Sequence, residues 1–271
     1  MDTLKMGAHG LAVSSLQQML NAAGASLVVD GWFGDATADA VAAYQQRIGL
    51  VVDGVAGPKT LQVLAAGSKP AGMLGAADLQ AAAEKLDVSV AAIRAVNEVE
   101  SAGAGFLPDG RCKVLFERHV MHQRLQAAGA DVAALAARYP LLINPQRGGY
   151  AGGAAEWQRL TNAGLVSGYP DLAVEAASWG AFQIMGYHWQ RLGYASAAEF
   201  EAAMQDSEAG QLDGFMRFIA ADPVLLKALR TRKWADFAHG YNGPAYAANL
   251  YDVKLARAYE RYASQAEAVA A

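Results

Sequence analysis

The stretch V-S-V-A-A-I-R-A-V-N-E-V-E-S, residues 88–101, carries apolar residues three and four apart and closes on two glutamates two positions apart. That spacing is helical rather than extended. At about 100° per residue with Ile93 at zero, Ala92, Val99 and Val96 fall near 260°, 240° and 300°. Glu100 falls near 340°, inside that apolar sector, while Arg94 and Glu98 fall near 100° and 140° on the opposite side. Glu98 therefore reads as a surface residue, able to pair with Arg94 at i,i+4. Glu100 reads as a desolvated carboxyl. Desolvation raises a carboxyl's pKa, which is what a general acid at neutral pH requires.

Outward from this helix the pattern stays helical. Helices are expected at 76–86, 117–128, 132–138, 154–163, 171–177, 187–192, 197–207, 211–221, 224–230, 234–241 and 246–263. β-branched alternation is scarce. K-V-L-F at 113–116 is a short strand or an irregular insertion. Residues 139–153, Y-P-L-L-I-N-P-Q-R-G-G-Y-A-G-G, form a long glycine-rich loop, and such loops are functional or mobile.

Toward the N-terminus the chain repeats itself. V-V-D-G-W-F-G-D-A-T at 28–37 and V-V-D-G-V-A-G-P-K-T at 51–60 share Val, Val, Asp, Gly, Gly and Thr in register. Each D-G marks a tight turn, and each copy opens a helix, at 36–48 and 59–65. A further helix over 13–23 makes a bundle of three. The Gly- and Pro-containing segment A-G-S-K-P-A-G-M-L-G, residues 66–75, reads as a linker. The expected architecture is thus mainly α: a small three-helix bundle over 1–67, a linker over 68–75 and a large helical domain over 76–271.

Composition bounds the chemistry. The 271 residues are 54% hydrophobic and 18% charged, enough for sizeable cores. A net charge of −4 argues against a general nucleic-acid binder. Residues 227–261 carry seven Lys and Arg against Asp236, Asp252 and Glu260, a locally basic surface suited to an anionic envelope. The single cysteine, Cys112, excludes an intrachain disulfide, and a thiol nucleophile there would have only His119 near it in sequence as a base. M-D-T-L-K-M-G-A-H-G has no cationic stretch followed by an apolar run, and no run of about 20 apolar residues occurs, so synthesis in the cytosol is expected. Glu117, His119 and His122 lack the H-E-x-x-H spacing, and no metal or cofactor is expected.

The segments L-Q-Q-M-L-N-A-A-G, D-G-W-F-G, T-A-D-A-V-A-A-Y-Q-Q and G-L-V-V-D-G-V-A-G resemble the three-helix peptidoglycan-binding modules of cell-wall enzymes. The resemblance implies a surface for wall polymer, with Trp32 as a sugar-stacking residue and Phe33 in the core. Farther on, Glu100-Ser101, S-W-G-A-F-Q-I at 178–184 and G-Y-N-G-P-A-Y at 240–246 occur in an order that resembles the lysozyme superfamily, closest to goose-type lysozymes and soluble lytic transglycosylases. With F-L-P-D-G-R, L-F-E-R-H and G-G-Y, residues 76–262 look like the N-acetylmuramidase domain of bacteriophage endolysins. The G-L-M-Q segment of the superfamily is G-A-F-Q here.

That resemblance implies cleavage of the β-1,4 bond between N-acetylmuramic acid and N-acetylglucosamine, with Glu100 as the acid. Ser101, Ser178, Gln183, Tyr241 and Asn242 would position sugar or water. Glycoside hydrolysis commonly uses a second carboxyl. Glu117 is the leading candidate; Glu175 and Asp171 are weaker, and the substrate's N-acetyl group or a positioned water is an alternative. Trp179 and Trp189 belong to core or cleft wall. The partner implied is the glycan strand of peptidoglycan, cleaved by a monomer released from a phage host's cytoplasm through a holin pore. A lytic transglycosylase using the same glutamate, a non-enzymatic wall-binding protein, and a stem-peptide amidase or peptidase are the rivals.

Overall fold

The computed structural model describes residues 3–101 and 104–270. The chain divides into two compact units, Met1–Ala81 and Ala82–Ala271.

The first unit holds α1 (Leu11–Ala22), α2 (Asp35–Ile48) and α3 (Pro58–Ala66). They enclose a core that includes Val13, Leu16, Leu20, Phe33, Val41 and Leu61. Phe33 is fully buried, as expected. The repeat has a physical cause that residue spacing did not disclose. The buried Gln17 side chain donates to Asp30 Oδ1 (2.8 Å), Trp32 O (3.1 Å) and Thr37 Oγ1 (3.1 Å), and accepts from Gly31 N (2.9 Å). Gln45 does the same in the second copy, donating to Asp53 Oδ1 (2.7 Å), Val55 O (3.0 Å) and Thr60 Oγ1 (3.0 Å) and accepting from Gly54 N (3.0 Å). Asp and Thr recur because each satisfies a buried amide.

The compact boundary falls after Ala81, later than the 67 and 75 read from composition. Leu74 is buried and Met73 packs against the core of this unit. Gly75 pairs with Leu50, and a Cβ on Gly75 would lie 2.3 Å from Gly49 O. The glycine that resembled linker composition is needed for that close approach. Helix α4 (Ala76–Leu86) follows.

In the second unit, α5 (Val90–Glu100) is capped by Ser89, whose side chain accepts from Ala92 N. Then come β1 (Val114–Phe116), α6 (Arg118–Ala127), α7 (Val132–Arg138), α8 (Ala155–Ser167), α9 (Pro170–Glu175), β2 (Ala177–Trp179) and β3 (Ile184–Met185). Helices α10 (Ala197–Asp206), α11 (Glu208–Ala220), α12 (Pro223–Arg230), α13 (Trp234–Asn242) and α14 (Tyr251–Ala270) complete it. The strands form one antiparallel sheet in the order β1-β2-β3, with Leu115 opposite Ser178 and Ser178 opposite Met185.

The helical expectation holds for most segments and fails at three. The helix over 171–177 stops at Glu175, because Ala177 enters the sheet. A single 3₁₀ turn, Gly186–His188, stands where 187–192 was expected to be helical. The helix over 246–263 is split: Pro244–Asn249 is 3₁₀, and Leu250 at φ 53° separates it from α14. Two short strands joined by four residues leave too little periodicity to distinguish from helix.

Replacing Gln17 or Gln45 by Ala strips several buried partners at once. Each change should lower the stability of the first unit by about 2–4 kcal/mol in denaturant unfolding. Losses below about 0.5 kcal/mol would show that these amides do not hold the repeats.

Candidate active site

Helix α5 carries Glu100 to a cleft of about 380 Å³. Ser101, Gln183, Tyr241 and Asn242 line the same cleft, with Phe182, His188 and Tyr251 among its other walls. Three stretches far apart in sequence, the end of α5, the β2–β3 hairpin and the end of α13, thus meet at one place. Asn242 Nδ2 donates to Glu100 Oε1 at 3.1 Å. Burial pushes the Glu100 carboxyl up to about 7, and the Asn242 donor acts in the opposite direction. Glu98 is exposed as expected, but it does not pair with Arg94: it accepts from Arg261 and, at 2.6 Å, from the Tyr262 hydroxyl of α14. The Arg94 guanidinium instead lies over the Tyr262 ring, 5.8 Å from its centroid.

The hairpin that carries Gln183 is held under strain. Gln183 has φ 52°, a conformation costly for a residue with a side chain. Its side chain is fastened at both ends: Ser178 Oγ donates to Oε1 (2.8 Å) and Nε2 donates to Gly180 O (2.8 Å). Ser178 is thus behind the cleft wall rather than in it. Beneath the hairpin, buried Gln211 accepts from Ala181 N (2.9 Å) and donates to Met204 O (3.0 Å). Gly180 sits at φ 72°, where a Cβ would lie 2.6 Å from Gln211 Cδ. This is why the G-A-F-Q segment keeps its glycine.

Tyr241 donates its hydroxyl to Phe182 O at 3.0 Å, joining α13 to the hairpin, and burial pushes its phenol well above the usual range. His188 was not foreseen. Burial, with Arg191 adding to it, pushes its imidazole down to about 4, so the ring facing the cleft is neutral where Glu100 titrates.

Glu117 stands elsewhere. Its N–H donates to Ala176 O (2.8 Å), continuing β1, and strand alternation gives it the sheet face of Leu115, Ser178 and Met185. Met185 lines the Glu100 cleft and Glu117 does not. Strand spacing places their α-carbons roughly 12 Å apart. Glu175 is buried between Trp189 Nε1 (2.7 Å) and Arg124 Nε (2.6 Å), a structural carboxylate. Trp179 is fully buried and packs edge-on to Trp157 and Phe200. Cys112 is fully buried and its thiol is pushed up to about 12, which removes it as a nucleophile.

In the first unit Trp32 is 53% exposed and stacks on His9, ring centroids 6.1 Å apart. The pair borders a shallow surface with Leu11, Ser14 and Asp30. The second repeat has Val55 at the corresponding position, so only the first offers an aromatic face.

Residues 89–263 match the N-acetylmuramidase family, and the chain belongs to that family. Residues 9–64 match the peptidoglycan binding domain family. Both agree with the resemblances drawn from the Glu-Ser, S-W-G-A-F-Q-I, Y-N-G and D-G-W-F-G motifs. Among solved structures, the chain is similar to the Burkholderia AP3 phage endolysin, with 58% identity and a TM-score of 0.91 over 97% of this chain and 100% of that one. It is also 47% identical over 66 residues to the N-acetylmuramoyl-L-alanine amidase CwlL of Bacillus licheniformis, covering 23% of this chain and 18% of that one. A zinc D-Ala-D-Ala carboxypeptidase of Streptomyces albus G is 46% identical over 61 residues, 21% of this chain and 24% of that one. The chain therefore spans about a fifth of the length of these curated relatives, too little to carry their chemistry over.

A folded-state pKa near 7 against an ordinary 4.5 has a consequence for stability. The folded state holds the Glu100 proton more tightly than the unfolded chain, so its contribution is fully present below pH 4.5 and is lost as pH rises through about 7. Between pH 4.5 and 8 the wild type should lose up to about 3 kcal/mol more unfolding free energy than Glu100→Gln. Parallel stability curves for the two proteins would mean that Glu100 is not desolvated.

Proposed function

We propose that this chain is a modular lysin that cleaves the glycan strand of peptidoglycan between N-acetylmuramic acid and N-acetylglucosamine. One observation carries the reading: a largely buried carboxyl, its pKa pushed up to about 7 by that burial, opens into a cleft lined by hydrogen-bonding side chains. Glu100 donates its proton to the glycosidic oxygen as the bond breaks. Asn242 holds the carboxyl in place and stabilises the carboxylate left behind. Gln183, Tyr241 and Ser101 bind sugar hydroxyls and the N-acetyl group. Glu117 stands outside the cleft lining but on the sheet face that it shares with Met185, which does line it. In this reading it is the second carboxylate, as base for water or as nucleophile once a glycan strand lies across that face. The Trp32 face of the first unit stacks on sugar and keeps the enzyme on its polymer.

The chain acts as a monomer, made in a phage host's cytoplasm and released to the wall through a holin pore. The basic stretch 227–261 contacts the anionic envelope. Part of its charge is spent inside the fold, since Arg261 is paired with Glu98 and Arg230 donates to Leu86 O (2.9 Å). A second reading is a transglycosylase, which uses Glu100 alone and closes a 1,6-anhydro ring. It draws on the fact that Glu100 is the only carboxylate lining the cleft among the described residues.

Mass spectrometry of fragments released from purified peptidoglycan separates these readings. Wild type should leave reducing N-acetylmuramic acid ends, and Glu100→Gln should release at least about 10²-fold less. Anhydro ends would transfer the chain to the transglycosylases. Undiminished release by Glu100→Gln would remove Glu100 from the mechanism.

A further inference from the structure

Two motifs, F-E-R-H at 116–119 and G-G-Y at 148–150, lie outside the lining of the Glu100 cleft, yet they meet each other. The Tyr150 hydroxyl donates to the Glu117 carboxylate, 2.9 Å from Oε2 and 3.1 Å from Oε1. His119 Nδ1 lies buried 3.1 Å from the same Oε2, without hydrogen-bond alignment. Glu117 is the N-cap residue of α6, but its side chain makes no capping bond. A carboxylate kept for helix stability would turn back onto the N–H groups of its own first turn. This one is turned to the tyrosine.

The loop that brings the tyrosine is anchored on both sides of it. Arg118 donates to the carbonyls of Gln146 (2.9 Å) and Arg147 (3.1 Å) before Tyr150. Buried Glu156 accepts from Ala151 N (2.6 Å) and Gly152 N (2.9 Å) after it. Gly149 has φ 75°, and a Cβ there would lie 3.0 Å from an Arg118 nitrogen. The G-G pair thus lets the brace close. Tyr150 remains 47% exposed, so the loop does not exist to bury its ring. Burial and the adjacent Glu117 raise the phenol's pKa, so it remains an O–H donor at working pH.

We infer that Tyr150, aimed by the loop that Arg118 braces, is a positioning residue that fixes the orientation of the Glu117 carboxylate for the glycan-cleaving step. This inference rests on the reading that Glu117 takes part in catalysis. Tyr150 touches no reacting atom; it acts through Glu117.

The test compares wild type, Tyr150→Phe, Glu117→Gln and the double variant for kcat and KM on solubilised peptidoglycan, with melting temperatures alongside. Tyr150→Phe should lower kcat roughly 10- to 100-fold. Its KM should stay within about threefold, and its melting temperature within about 2 °C of wild type. The double variant should be no slower than Glu117→Gln alone, because the tyrosine has nothing left to position. A wild-type kcat for Tyr150→Phe beside a disabled Glu117→Gln would overturn the positioning role alone. Losses that multiply in the double variant would also overturn it, as would a melting temperature lowered by more than about 5 °C together with a raised KM. A wild-type rate for Glu117→Gln would remove the reading beneath the inference as well.

Discussion

The carboxyl of Glu100 is placed where water is scarce, and much of the second unit is arranged to keep it there. Helix α5 buries Ile93, Ala95 and Val96, and α14 closes over it through Ala258 and Tyr262. The same apolar stripe that binds α5 to the unit carries the glutamate to the cleft. The position that makes the helix fold also makes its last residue an acid, since desolvation favours the neutral form. Asn242 supplies one donor, enough to orient the group without overturning the effect of burial. More donors would lower the pKa further and remove the acid from neutral pH.

Buried polar joints supply the precision that a mostly helical frame does not. Gln211 ties the G-A-F-Q turn to α11. Glu208 accepts from Gly105 N at 3.0 Å. Glu156 accepts from Phe116 N and from the Arg159 guanidinium, while Arg159 reaches Leu141 O. Each joint crosses between segments far apart in sequence, and each is satisfied on several sides, as burial of such groups demands. The strained Gln183 backbone persists because Ser178 and Gly180 over-determine it.

How much of this is legible in the amino-acid sequence follows from the range of each interaction. Glu100 separates from Glu98 by helix geometry alone, whereas the assignment of Trp32 to the surface and Phe33 to the core came with the D-G-W-F-G resemblance. Ser101, Gln183, Tyr241 and Asn242 are legible as motifs, and the fold brings them together. Gln17, Gln45 and Gln211 are not legible, because a glutamine carries the same signal on a surface as at the centre of a buried network. His188 and Tyr251 enter the cleft from segments without a motif. The sheet is hidden for another reason: β2 and β3 have three and two residues, too short for a period of two to register. The partners of Glu98 are not legible because α14, which supplies them, lies more than 150 residues away, and a tertiary contact displaces the local i,i+4 pair.

The account stands on the protonation state of one side chain, and that can be measured directly. Carboxyl-carbon NMR of the protein labelled at glutamate, with Glu100 assigned by its absence in Glu100→Gln, would follow the titration in wild type and in Asn242→Ala. The account predicts a midpoint near 7 in wild type and a higher one in Asn242→Ala, where the donor that favours the carboxylate is gone. A wild-type midpoint near the ordinary 4.5, unmoved by Asn242→Ala, would contradict it.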